Sequence, residues 1–182
     1  MSSVALERTI FDADHDAFRE TVRRFAERDV APHLRDWAES GQVDRDLYRQ
    51  AGKLGLLGMN VEERFAGGGI DDFRFNAIVI EELCRVGAPA VVMGLAGIND
   101  LVTPYLVSLA DEEQKHRFLT PLCTGEKIGA VAMTEPGAGS DLAAISTTAL
   151  PDGDDLVLNG TKIFISNGML ADFVIVVAKT DP

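Results

Sequence analysis

The sequence predicts an α+β protein: an N-terminal all-α helical bundle followed by an incomplete antiparallel β-domain. Three observations lead there. Apolar residues recur at helical spacing through the first two thirds of the chain, that period is lost near Gly125, and the residues after it carry two turn signals, Asp152-Gly153 and Asn159-Gly160. The expected organisation is a helical domain over 1–125 and the first part of a middle β-domain over 126–182.

Taken in order, Phe18, Val22, Phe25 and Ala26 follow the acidic starters Asp12 and Asp14 at helical spacing, and Pro32 bends or ends that helix. A shorter helix opens near Asp44 and closes between Gly52 and Gly55. After a glycine loop from Phe65 to Gly69, Asp71 or Asp72 caps a helix running through Phe73, Ala77, Ile80 and Cys84, and Gly87 terminates it. That helix is apolar on most sides and is expected at the centre of the bundle. Asp111-Glu112-Glu113-Gln114 reads as a capping box for one more helix, ending before Pro121. Ile128 to Met133 is apolar and short enough for a strand. Leu156 to Leu158 and Lys162 to Ile165, joined at Asn159-Gly160, form the strongest hairpin signal, since Asn-Gly suits a type I′ turn. Pro151 to Asp154 is a further turn and Phe173 to Ala178 a last strand.

Composition bounds the function. With 182 residues, 46% hydrophobic and 25% charged, the chain is globular in character, and its net charge of −12 without any Lys/Arg run excludes nucleic-acid binding. Cys84 and Cys123 lack metal-ligand spacing and are expected to be small, buried or half-buried residues; His15, His33 and His116 are scattered surface or packing residues, so no metal is expected. Met1 to Ile10 has no apolar leader core, which makes the cytoplasm the default location. Val86 to Ala110 has the length of a membrane span, but Pro89, Gly94, Gly97, Asn99-Asp100 and Pro104 interrupt it. A buried helix followed by a short second one is expected instead, with no membrane span.

The segment that carries chemistry is Val131-Ala132-Met133-Thr134-Glu135-Pro136-Gly137-Ala138-Gly139-Ser140. An apolar strand runs into a loop whose glycines allow close backbone approach. Its N–H groups and the Thr134 and Ser140 hydroxyls suit an anionic or hydrogen-bonding cofactor without cationic side chains. A nicotinamide-binding Rossmann turn is the rival for Gly137-Ala138-Gly139, but the third glycine position is Leu142 and the strand follows a bundle rather than opening a βαβ unit.

The run AMTEPGAGSDL (Ala132 to Leu142) followed by NGTKIFISNG (Asn159 to Gly168) is similar to the paired motifs of the acyl-CoA dehydrogenase family. GLLGMNVEERFAGGG and DEEQKHRFLTPLCTGEKIGA fall in the family's order, so the resemblance covers nearly the whole chain from Phe11 onward. It implies FAD held where the helical and β-domains meet. Carried over, Val131 to Ser140 looks like the strand and loop lining the flavin, with Thr134 at the ring edge and Ser140 also beside the acyl-CoA. Phe164, Ile165 and Ser166 match the second flavin segment, where many members have Trp and Thr in place of Phe164 and Ser166. The Phe-Ile-Ser form looks most like the long-chain members. Glu135 matches a loop glutamate with a structural role.

The reaction the resemblance implies removes the proton α to a thioester carbonyl while the β-hydrogen leaves as hydride to the flavin, in fatty-acid β-oxidation. The family's glutamate base belongs to a C-terminal helical domain expected beyond Pro182. The expectation is therefore a front portion of the enzyme without its base; the alternative is a shortened, non-catalytic product. Acyl-CoA, an electron-transfer-flavoprotein-like acceptor and homo-oligomers of the full-length protein are the partners implied.

Overall fold

Aspartates open the helices of the front region, each offering a carboxylate to N–H groups that have no partner inside the helix. In the computed structural model, which describes residues 8–181, Asp12 caps α1 (Ala13–Phe25), Asp44 caps α3 (Arg45–Lys53) and Asp72 caps α4 (Phe73–Arg85). The leaderless N-terminus expected over Met1 to Ile10 falls mostly outside the described residues, as does Pro182. Pro32 bends the first helix rather than ending it: a π turn (Ala26–Val30) and a 3-10 turn (Ala31–His33) carry the chain into α2 (Leu34–Ser40). Gly87 closes α4 at φ +74°, a left-handed conformation that only glycine adopts freely.

Pro89 to Leu109 forms one helical run: α5 (Pro89–Ala96), a π turn (Gly97–Val102) and α6 (Thr103–Leu109). Pro104 does not break it: it follows directly on the π turn, where the α ladder that a proline would interrupt is already replaced by wider i→i+5 bonding. Val91, Leu95, Ile98 and Val102 of this run belong to the hydrophobic core, and the buried Asn99 holds the Leu56–Gly58 loop through Gly58 N (2.9 Å) and Leu56 O (2.9 Å). The capping box at Asp111 is present in both directions, Gln114 N to Asp111 Oδ1 at 2.8 Å and Asp111 N to Gln114 Oε1 at 3.1 Å. It starts α7 (Glu112–Gln114), which passes through a π turn (Lys115–Leu119) into α8 (Thr120–Cys123), so Pro121 lies inside the last turn.

Helix α4 packs between α1 and α5 and buries Ile78, Val79 and Leu83 while Phe73 stays exposed, so only one side of it is core. Its Glu82 is buried against Arg19 and Arg23 of α1, both at 3.0 Å. Cys123 is buried as expected, but Cys84 is exposed, because it falls on the solvent side of α4. His15, at the start of α1, is a packing residue stacked on Phe75 (4.4 Å between centroids) and bonded to Asp12 (2.7 Å).

The strands follow the helices, as the composition of the two regions implies. Strand β1 (Gly129–Ala132) pairs with β4 (Phe173–Val176), and β2 (Thr148–Asp152) pairs antiparallel with β3 (Asp155–Asn159). Two expectations are corrected here. The β1–β4 pair is parallel, with Gly129 opposite Phe173 and Ala132 opposite Val176, so the sheet is not antiparallel throughout. The hairpin turns at Asp152-Gly153-Asp154-Asp155, where Gly153 has φ +64°, and not at Asn159-Gly160. Gly160 has φ +159°, nearly extended, and a Cβ there would lie 2.2 Å from Thr147 Oγ1. That glycine serves a close approach, and the chain beyond it leaves the hairpin to cross onto the loop after β1.

Candidate functional site

Strand β1 emerges from the helical region and delivers Met133 and Thr134 to the junction between helices and strands. The segment leaving β3 arrives from the other side: Ile163 N donates to Thr134 O at 2.9 Å. A cavity of about 130 Å³ opens where they meet, lined by Gly129, Ala130, Val131, Met133, Thr134, Phe164, Ile165, Ser166 and Asn167 together with Gly97, Leu101 and Val102 of the π turn. The two motifs, distant in sequence, thus face one space. Among the described residues no titratable side chain lines it.

Phe164 is the unusual residue of this wall. Its φ is +56°, a left-handed conformation that is an outlier for a bulky aromatic, and its side chain is 90% exposed. Packing does not hold it there, since an exposed ring gains nothing from burial. The strained backbone thus displays an apolar ring at the mouth of the cavity.

The remaining motif residues divide by orientation. Ala132, Glu135 and Ala138 are buried and do not line the cavity. Pro136, Gly137, Gly139 and Ser140 lie on the exposed rim of a tight turn closed by Glu135 N to Ala138 O (2.8 Å) and Ala138 N to Glu135 O (3.2 Å). A Cβ added at Gly137 or Gly139 would meet nothing within 4 Å, so no close approach among the described residues accounts for these glycines. Among the described residues no α-helix follows β1, only a 3-10 turn (Leu142–Ala144), so the turn lacks the helix N-terminus of a Rossmann site.

Glu135 faces inward and is saturated. Its carboxylate takes Lys162 Nζ at 2.8 Å, Ser146 N and Oγ at 2.7 Å each, and Thr147 N at 2.9 Å. The Lys162 ammonium foremost, and then the Ser146 and Thr147 donors, hold this carboxyl well below the usual carboxylate range. A carboxylate so held does not take up a proton near neutrality. It braces the loop, and Lys162 extends the brace by donating to Met133 O at 2.8 Å.

Sequence reasoning missed the residues that fix the second loop. Asn167, also left-handed at φ +63°, accepts the Tyr48 hydroxyl on Oδ1 at 2.7 Å and donates Nδ2 to Gly94 O at 3.0 Å. Arg45 and Asp172 pair at 2.6 Å, and Asp172 also takes Ile128 N at 2.8 Å, which ties α3 to the paired starts of β1 and β4. The local signal available was the Asn-Gly after Ser166; the partners Tyr48 and Gly94 carry no motif of their own.

A helical layer thus meets small sheets at an uncharged, hydroxyl-bearing cavity with an exposed aromatic at its mouth. Residues 12–126 match the family model "Acyl-CoA dehydrogenase, N-terminal domain" and residues 130–182 match "Acyl-CoA dehydrogenase, middle domain". The chain belongs to the acyl-CoA dehydrogenase family. It is 47% identical over 174 residues to the mitochondrial long-chain specific acyl-CoA dehydrogenase of Sus scrofa, a match covering 96% of this chain and 40% of that enzyme. The crystal structure of an acyl-CoA dehydrogenase from Geobacillus kaustophilus superposes with a TM-score of 0.87 at 44% identity, covering 97% of this chain and 46% of that one. A glutaryl-CoA dehydrogenase from Mycobacterium smegmatis, solved in complex with FADH2, gives 0.87 at 33% identity over 94% of this chain and 44% of that one. The chain spans about 40% of the length of the curated relatives it matches.

Proposed function

We propose that this chain forms the flavin-facing wall of an FAD-dependent acyl-CoA dehydrogenase that acts on a long-chain acyl thioester. The observation that carries the reading is Phe164, left-handed and exposed, beside the Thr134 and Ser166 residues of the same cavity. The residues fit an isoalloxazine ring: the Phe164 ring offers an apolar face, and the Thr134 and Ser166 hydroxyls offer bonds to polar ring atoms. The open glycine backbone at Gly137 and Gly139 leaves room for close approach. When bound, FAD supplies the electron sink for hydride leaving the acyl β-carbon.

The chain's own part is binding, orientation and exclusion of water. Ser140, on the exposed rim, belongs in this reading to the acyl-CoA side of the ligand, as the family resemblance implies. The uncharged lining strengthens each hydrogen bond made within it. Proton removal from the α-carbon requires a carboxylate that this wall does not contain, since Glu135 is turned away and kept ionised by Lys162. The base therefore comes from residues outside this wall. The family and the relatives' names support acyl-CoA as substrate; an electron-transfer-flavoprotein-like acceptor and a homo-oligomeric full-length enzyme belong to the same reading.

Titration of the purified 182-residue chain with FAD tests the reading. Weak, saturable binding with a shifted flavin absorbance is expected, and no dehydrogenation of acyl-CoA with an artificial electron acceptor. Turnover by this polypeptide alone would place a working base among its residues and overturn that assignment.

A further inference from the structure

The flavin-facing loop and the helix opposite it share one hydrogen-bonded clamp. Asn167 reaches two elements of the helical region at once, with Oδ1 taking the Tyr48 hydroxyl of α3 and Nδ2 donating to the Gly94 carbonyl of α5. The carbonyl can only accept, which fixes the orientation of the amide and leaves its oxygen for Tyr48. Tyr48 is 1% exposed, and burial pushes its phenol up to about 12, so the hydroxyl remains a donor across the ordinary pH range. The approach is close enough to require glycine at the meeting point: a Cβ on Gly94 would lie 2.5 Å from the Tyr48 hydroxyl and 3.1 Å from Asn167 Oδ1.

Position gives the clamp its consequence. Gly94 lies in the last turn of α5, three residues before the π turn Gly97–Val102 begins, and that turn supplies Gly97, Leu101 and Val102 to the cavity. Asn167 follows Phe164, Ile165 and Ser166 and lines the facing wall with them, while its amide is taken up by the bonds to Tyr48 and Gly94. We infer that Asn167, anchored by Tyr48, is a positioning residue that sets the spacing between the flavin-facing loop and the π-turned helix, so that neither wall of the cavity moves alone. The inference rests on the flavin reading for its functional meaning, while the coupling of the two walls is a property of the protein without ligand.

Two variants separate the parts. Asn167→Gly keeps the left-handed backbone and removes both side-chain bonds; Tyr48→Phe keeps the buried ring and leaves Asn167 Oδ1 without its donor. Val22→Ala, a core truncation in α1 away from the cavity, is the control for general loss of stability. Hydrogen exchange on the FAD-free chain is expected to quicken in Asn167→Gly at residues 164–170 and also across Gly97–Val102, whereas Val22→Ala leaves the protection of these two segments relative to the rest of the core unchanged. FAD titration is expected to show a dissociation constant raised on the order of tenfold in Asn167→Gly, less in Tyr48→Phe, and unchanged in Val22→Ala. Unaltered exchange across Gly97–Val102 in Asn167→Gly would overturn the clamp. Failure of the unmodified chain to bind FAD would instead sink the functional reading, with the exchange result still deciding the clamp.

Discussion

Gly125→Ala is expected to lower the melting temperature of the chain by about 10 °C. Gly125 follows α8 with φ +73°, and a Cβ built on it would lie 2.0 Å from Tyr48 O and 2.7 Å from Arg49 N. Left-handed backbone costs a residue bearing Cβ about 1–2 kcal/mol, and forcing backbone atoms apart in a packed region about 1–3 kcal/mol more. For a chain of this size each kcal/mol lowers the midpoint by about 2–4 °C, which gives the expected shift. Both atoms in the way are main chain of α3, so no rotamer change relieves the contact. The displaced helix also carries Arg45 and Tyr48, which hold the β-region through Asp172 and Asn167, so flavin affinity should fall with stability. Differential scanning calorimetry of the two proteins checks this, and an unchanged midpoint would show that α3 is not held against the junction.

Glu135→Gln should be nearly as damaging, through electrostatics. The substitution leaves the Lys162 ammonium, 10% exposed, without its counter-charge and puts an amide N–H group among donors that need acceptors. Adding Lys162→Met should restore part of the loss, since breaking a buried pair costs more than replacing both members. The effect has a defined pH dependence. Because the folded-state carboxyl lies below its ordinary value of 4.5, the unfolded chain takes up the proton first as pH falls. The stability Glu135 provides is fully present above pH 4.5 and drains away below it. Thermal melts from pH 7 down to pH 3 should therefore show a gap between the original chain and Glu135→Gln that is constant near neutrality and narrows in acid. A gap that widens in acid would contradict the assigned ion pair.

Local chemistry made the helical half legible. Aspartate caps, the Asp111 capping box and the closing Gly87 are short-range devices, and each stands where its residues imply. The strands were legible as segments and not as partners. Asn159-Gly160 and Asp152-Gly153 both suit a hairpin turn, and the choice fell to contacts made elsewhere: Gly160 against Thr147, Lys162 on Glu135, and Ile163 on Thr134. The parallel pairing of β1 with β4 joins segments separated by the entire hairpin, and no local period encodes it. The π turns at Ala26, Gly97 and Lys115 had no sequence signal either, although the middle one lines the cavity.

The candidate site divided in the same way. Thr134, Phe164 and Ser166 were found because motif residues recur with their neighbours, and the structure brings them to one cavity. Tyr48 stands 119 residues before Asn167, so their bond exists only once the helical and β-regions have packed. Glu135 was legible as a structural loop residue, but its partners were not: the Ser146, Thr147 and Lys162 donors that make it a brace carry no motif.

Phe164→Gly, measured for thermal stability without ligand and for FAD affinity, is the most direct test of the claim that two loops converge to receive a flavin. Glycine relieves the left-handed strain and removes a ring that buries almost nothing in the free chain, so the midpoint should stay level or rise. FAD should bind about three- to tenfold more weakly for want of the aromatic face. A lowered midpoint with unchanged FAD affinity would make Phe164 an ordinary structural residue and contradict the account.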